Sequence, residues 1–258
     1  MSDLLFEIRD GVARITINRP QAMNAMTSQM WPAMGELLAQ VEPREDVRCV
    51  LVTGAGAHFC SGGDVKEFST TVDLTPHERA VFWARNADRT NWMFQLIERI
   101  PQTVVVSARG VAAGGGLSLV AAADLAIVSD TARFLAAQIR IGAIPDSALG
   151  YNLVRSLGLK RAKQIGLLGE QFDGAAALAM GLVNWVVPDG ELEQRTEALL
   201  GQVVKNPRIA MARTKSELNF AHTRTLADHC AQESQDVAAC IAEPDYPQRV
   251  RAFLERRR

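Results

Sequence analysis

Two glycine-rich stretches carry the chemistry in this sequence. The first reads His58-Phe59-Cys60-Ser61-Gly62-Gly63-Asp64-Val65-Lys66 and the second Gly110-Val111-Ala112-Ala113-Gly114-Gly115-Gly116-Leu117-Ser118. Each follows an apolar run, residues 49–53 and 103–107, that reads as a buried strand. Glycine lets a backbone approach a ligand closely and adopt conformations closed to other residues. Where a helix begins, unpaired N–H groups and the positive end of the dipole favour negative charge. Two such strand-to-helix turns set side by side would each aim one N–H at a single oxygen, an oxyanion hole made of backbone. One stretch alone would be read as a tight turn. Two in succession favour the anion site.

A carboxylate stands further on, in Ile144-Pro145-Asp146-Ser147. By residue type Asp146 is either a general base or the N-cap of a helix beginning near Ser147. Asp64 has the same two readings, and the cap is preferred there. Other glycine motifs fail on inspection. Gly54-Ala55-Gly56-Ala57-His58-Phe59 imitates a dinucleotide fingerprint but ends in Phe where glycine is needed. No G-K-[ST] and no G-x-S-x-G occurs, against a phosphate loop and a serine-hydrolase elbow. The four cysteines form no C-x-x-C, and Cys49 reads as a small hydrophobe in a strand. The four histidines show no metal spacing, so no metal is expected.

The 258 residues suffice for one large domain or two small ones. With 48% apolar and 22% charged residues the composition is that of a globular chain with a sizeable core. A formal net charge of −1 and the lack of an aromatic-basic patch argue against nucleic acid and an anionic membrane as partners. The N-terminus lacks the pattern of a signal peptide, and no apolar run approaches the length of a membrane span. A cytoplasmic location is the default expectation.

The elements that must position the glycine turns follow from periodicity. Residues 5–9 and 12–18 alternate around Asp10-Gly11, a strong hairpin signal. Thr27 is expected to cap a helix to about residue 40. A short helix follows Asp64, and a longer one spans about 77–100. Gly114-Gly115-Gly116 opens a small-residue helix to about residue 123, before a strand at 125–128. Short helices are expected at 150–157, 160–168 and 174–180, then a strand at 182–187 that Pro188 ends. Helices fill 191–204 and two further segments after Pro207. Strands alternating with helices imply an α/β core, residues 1–190, followed by a helical region, residues 191–258. The terminal Arg256-Arg257-Arg258 reads by default as a solvated helix end.

Taken in order, several segments resemble the enoyl-CoA hydratase/isomerase (crotonase) superfamily over essentially the whole chain. They are Asn18-Arg19-Pro20-Gln21-Ala22-Met23-Asn24-Ala25-Met26, residues 59–66 and 110–116, Ile144-Pro145-Asp146, and Ala179-Met180-Gly181-Leu182-Val183. Asp245-Tyr246 and Ala252-Phe253-Leu254-Glu255-Arg256 fit the family's last helix. The resemblance implies a spiral of β-β-α repeats, a C-terminal helical trimerisation region, and a homo-trimer or hexamer. It implies acyl-CoA thioester substrates, coenzyme A being part of the substrate and no separate cofactor being needed. By position, the oxyanion N–H groups belong to Gly63 and Gly115. Ser61, Gly62, Asp64, Val65 and Lys66, with Met23 and Ala25, line the adenine and pantetheine path. Phe253 and Arg256 reach a neighbouring subunit's CoA, a second reading of the basic tail.

Family hydratases carry a glutamate at each of two positions that deliver water across a double bond. Those positions align here with Ser118 and Gln138, neither of which is a carboxylate acid or base. Asp146 resembles the base of the family's isomerases, including the ring-epoxide isomerase of phenylacetate breakdown. The resemblance therefore points to a shift of a C=C bond through a dienolate held at Gly63 and Gly115. Ser147-Ala148-Leu149-Gly150 stands where many relatives carry paired glycines, so acyl specificity does not carry over. The main alternative is a hydratase with relocated catalytic groups. A family dehalogenase would need a histidine where Asn91 aligns, and a non-catalytic acyl-CoA binder or RNA-binding relative completes the set.

Overall fold

The computed structural model describes residues 2–255. Strands β1 (Leu4–Arg9) and β2 (Val12–Ile17) form the expected hairpin. Its two turn residues, Asp10 and Gly11, both have positive φ (53° and 75°), the backbone of a two-residue turn that matches strand twist. Helix α1 (Met30–Val41) then leads to β3 (Cys49–Gly54), and two helices follow, α2 (Val65–Ser69) and α3 (Pro76–Arg99).

From there the chain winds in repeated turns. Strand β4 (Thr103–Ala108) is followed by the three-residue β5 (Val111–Ala113) and helix α4 (Gly115–Ala122). Strand β6 (Leu125–Ser129) is followed by β7 (Arg133–Leu135) and helix α5 (Leu149–Leu168). Strand β8 (Phe172–Asp173), helix α6 (Gly174–Met180), strand β9 (Trp185–Val187) and helix α7 (Leu192–Lys205) close the series. Each turn contributes one strand to each of two sheets. The larger has the order β1-β2-β3-β4-β6-β9, parallel from β2 onward, and the smaller the order β5-β7-β8. The fold is thus α/β, a spiral of β-β-α turns.

The core explains why these strands are continuous apolar runs. Ile15 and Ile17, Val50 and Val52, and Val104 and Val106 are all buried in one cluster with Met34 and Leu38 of α1 and Met93 and Ile97 of α3. Strands covered on both faces have no polar alternation to keep.

Several expectations need correction. Thr27 does not cap α1; its carbonyl accepts the Met30 N–H in a turn, and the helix starts at Met30. The Ser28 N–H and hydroxyl go instead to the Glu67 carboxylate on α2, at 2.7 and 3.1 Å. The strand expected at 182–187 is only Trp185–Val187, whereas the two helices expected at 150–157 and 160–168 are both present within α5, parted by the non-helical Gly158 (φ 75°, ψ 162°). Strands β5, β7 and β8 escape the sequence pattern because two or three residues carry no periodicity.

The chain divides into two compact units after Val204, later than the expected residue 190. Helix α7 belongs to the first unit because its polar face is tied to that unit's strands. Thr196 shares a 2.8 Å hydroxyl hydrogen bond with buried Ser107, and Glu197 accepts from both terminal nitrogens of Arg14 at 2.6 and 2.8 Å. The second unit contains α8 (Arg208–Phe220), α9 (Leu226–Ile241) and α10 (Tyr246–Glu255), three helices among the described residues where two were expected. Arg213 of α8 pairs with the buried Asp236 of α9 at 3.0 Å. No described helix is long and apolar enough to cross a membrane.

Phe59, fully buried immediately before the first glycine turn, anchors that turn to the core. Phe59→Ala should lower unfolding free energy by about 3–5 kcal/mol, read from urea titrations.

Candidate active site

The two glycine stretches occupy equivalent places in successive turns of the spiral. Cys60 forms an isolated parallel bridge with Ala112, its N–H bonded to the Val111 carbonyl at 3.0 Å and its carbonyl to the Ala113 N–H at 2.9 Å. Cys60 is therefore a one-residue extension of the smaller sheet. Carried forward along the same register, Gly62 falls beside Gly114 and Gly63 beside Gly115. The packing agrees: a methyl group added to Gly114 would lie 3.7 Å from the Gly62 Cα.

Only glycine fits this approach. A side chain at Gly62, whose φ is 100°, would meet the Ala113 carbonyl at 2.9 Å. One at Gly116 would run into the Cys60 carbonyl, and one at Gly115 would come within 2.6 Å of the Trp31 ring. At Gly63 the obstacle is Phe68, at 2.9 Å.

Both central amides are left without an internal acceptor. Gly63 bridges Met26, but that bridge uses the Gly62 carbonyl and the Asp64 N–H, so Gly63 turns its own N–H away from it. Gly115 is the first residue of α4, where an N–H has no intrahelical partner. Among the described residues neither amide has a hydrogen-bond acceptor. The Cys60 thiol lies just behind this pair. Burial pushes its pKa up to about 12, although the Gly62 N–H donating to Sγ at 3.4 Å opposes the rise.

A third segment, residues 19–26, braces the first glycine turn. The Met23 carbonyl accepts the Ser61 N–H, the Met26 N–H reaches the Gly62 carbonyl, and the Met26 carbonyl takes the Asp64 N–H. Asn24, fully buried with φ 55°, donates to the carbonyls of Ala55 and His58 at 2.9 and 2.6 Å and accepts from the Arg19 N–H. Arg19 pairs with Asp64 at 2.8 Å and donates to the Ala25 carbonyl. The Asp64 carboxylate also caps α2 by accepting the Lys66 N–H at 2.9 Å. Burial alone would raise the Asp64 pKa, but the Arg19 guanidinium and the Lys66 amide outweigh it and hold the group below the usual carboxylate range. Asp64 is a structural clamp.

Asp146 is not a helix cap. Its carbonyl accepts the Leu149 N–H, and α5 starts after Ser147 and Ala148, both in the left-handed region (φ 58° and 56°) that the family's glycines would adopt without strain. The Asp146 side chain is exposed, and its Oδ1 accepts from the Gln138 Nε2 at 3.1 Å. The hydroxyl of buried Ser118 donates to the Gly114 carbonyl at 3.2 Å and lies 3.5 Å from the Asp146 carbonyl. Ser118, Gln138 and Asp146 are thus gathered beside Gly114.

Of the other expected contacts, Met23 is half exposed, Val65 and Lys66 are exposed, Ser61 is partly buried and Ala25 is buried. Phe253 is exposed on α10 of the second unit, and Arg256 lies outside the described residues. Glu217, His229 and Glu233 bring three ligand-type atoms within 4.8 Å of one another on α8 and α9. His229 Nε2 already lies 3.4 Å from the Glu217 carboxylate, and Glu233 is exposed.

Sequence reasoning missed Trp31, Asn24, Arg19 and Glu67 as builders of the site. An asparagine and an arginine flanking a proline turn offered a signal, because polar groups enclosed by a fold need hydrogen-bond partners. Trp31 and Glu67 gave none, being ordinary helix residues until the tertiary fold sets them against Gly115 and Ser28.

Comparison with known proteins gives one consistent neighbourhood. The family model for enoyl-CoA hydratase/isomerase matches residues 7–258. The chain is 31% identical to the 1,2-epoxyphenylacetyl-CoA isomerase of Escherichia coli, covering all of this chain and 97% of that protein. It is 27% identical to the short-chain-enoyl-CoA hydratase of Clostridium acetobutylicum, with the same coverage of 100% and 97%. The crystal structure of an enoyl-CoA hydratase from Mycobacterium smegmatis superposes with a TM-score of 0.91 at 31% identity, over 100% of this chain and 98% of that one.

The clamp yields a stability prediction. Asp64→Asn removes the nearer of Arg19's two counter-charges and should cost about 3 kcal/mol, the low end for a buried pair, because Arg19 keeps exposed Asp3 at 3.8 Å and the Ala25 carbonyl. Since the folded carboxyl has a lower pKa than the unfolded one, the pair's contribution is complete above the unfolded value and is lost as pH falls through the folded one. Thermal unfolding should show a gap between wild type and variant that is flat around neutral pH and closes below about pH 4.

Proposed function

The chain belongs to the enoyl-CoA hydratase/isomerase family, and we propose that within it this protein shifts a carbon–carbon double bond of an acyl-CoA thioester, with Asp146 as the base. The observation that carries this reading is the fate of the two glutamate positions. They hold Ser118 and Gln138, both of which contact Asp146, while Asp146 itself is a free-ended carboxylate beside the glycine turns. Hydration needs acid and base groups to deliver a water. A double-bond shift needs one carboxylate and a place for the negative charge.

The steps balance on this machinery. Asp146 takes a proton from C2 of a 3-enoyl-CoA, and the electron pair of the broken C–H bond moves into the thioester, forming a dienolate. The Gly63 and Gly115 N–H groups hold the oxygen, aided at Gly115 by the start of α4. The carboxylic acid returns its proton at C4, leaving the conjugated 2-enoyl-CoA. Asp146 is exposed in the free chain, so the acyl chain itself must exclude water as it binds. Ser61, Gly62, Val65 and Lys66, with Met23 and Ala25, would flank the adenine and pantetheine, and Asp64 would hold their loop. The exposed apolar residues Leu226, Val237, Phe253 and Leu254 of the helical unit support assembly as a homo-trimer or hexamer.

A panel of enoyl-CoA thioesters, with product position read by NMR, tests the reading. Isomerisation appears as gain of the conjugated thioester absorbance and hydration as its loss. Asp146→Asn should reduce isomerisation by about 10²–10⁴-fold. Unchanged turnover would remove Asp146 as the base.

A further inference from the structure

We propose that Gln138 is the positioning residue of the Asp146 carboxylate, holding Oδ1 so that Oδ2 alone moves the proton. The inference rests on the isomerase reading and assigns this position a role other than that of the acid or base it replaces. Gln138 is only 9% exposed, and a methyl group on Gly114 would lie 3.9 Å from its amide, so the side chain is packed against the second glycine turn. Its Nε2 donates to Asp146 Oδ1 at 3.1 Å. Its Oε1 is enclosed and, among the described residues, has no donor.

The imbalance is the informative part. Burying an amide oxygen without a partner is costly, and among the described residues none offsets that cost. Among the described residues, the one polar contact of this amide is the carboxylate of an exposed aspartate. The amide is therefore held in place by packing and directed at Asp146, the arrangement of a support behind a reactive group. Without it, a solvent-accessible carboxylate on a short loop rotates freely. A rotating acid exchanges its proton with water before returning it. Gln138 thus keeps the proton removed from C2 available for C4, and it neither gains nor loses a bond itself.

The test uses 3-enoyl-CoA deuterated at C2, with deuterium at C4 of the product read by NMR in ordinary water. Gln138→Met, similar in length but without the donor, should lower kcat roughly ten-fold with KM within about two-fold, and should transfer less label than wild type. Gln138→Glu should behave likewise, since it restores the family's carboxylate but not the N–H, and it serves as the second variant if Gln138→Met folds poorly. Label transfer and kcat equal to wild type in the folded variants would overturn the proposal. Crystal structures of wild type and Gln138→Met, which need no turnover, test the same role independently. Rotation of the Asp146 carboxylate in the variant supports the role, and an unchanged rotamer sinks it. If the wild type moves no double bond, or Asp146→Asn is unimpaired, the isomerase reading fails instead, and the two structures still decide whether Gln138 orients Asp146.

Discussion

Where Cys60 pairs with Ala112, two successive turns of the spiral approach so closely that backbone meets backbone. Everything at the site depends on that contact. It requires glycine at 62, 115 and 116, because any side chain there would strike a carbonyl or the Trp31 ring. It sets Gly63 beside Gly115. It also leaves both amides unspent, since the flanking groups, the Gly62 carbonyl and the Asp64 N–H, make the bonds to Met26. Because the two donors come from main chain in a rigid sheet extension, no side-chain entropy is lost when they engage an oxygen. The clamp formed by Arg19, Asn24 and Asp64 then prevents the first turn from relaxing away from the second.

The fold supplies two backbone donors without internal acceptors, and on the proposed reading the reaction is chosen by what stands across from them. Across from them stand a serine spent on loop carbonyls and a glutamine spent on Asp146, at the positions where the resemblance implies glutamates in hydratases. One carboxylate remains next to the glycine turns. The relatives' names divide between isomerase and hydratase at similar identity, so overall similarity does not separate the two chemistries.

Much of this arrangement is legible in sequence because its causes are local. The hairpin at Asp10-Gly11, the strands at β3 and β4, and the helix opening at Gly114-Gly115-Gly116 each follow from a short pattern of turn residues and apolar runs. What escaped is set by tertiary partners. The start of α1 moved from Thr27 to Met30, and the Ser28 groups that an earlier start would have placed in the first turn are held instead by a carboxylate on α2. Helix α7 joined the first unit through Thr196 and Glu197, ordinary polar residues until Ser107 and Arg14 face them. Asp146 could be read as cap or base from its type, and the left-handed backbone at Ser147 and Ala148, which carries no signature in these residue types, is what displaced the helix start.

The buried thiol of Cys60 bears on the survival of such an enzyme. The conjugated enoyl thioester that the proposed double-bond shift would form is an electrophile that adds thiolates at C3, and Cys60 is the cysteine beside the glycine turns. Burial pushes its pKa up to about 12, which keeps the thiol protonated at neutral pH, and the sulfur is buried. A site so built would hold a Michael acceptor without alkylating this thiol.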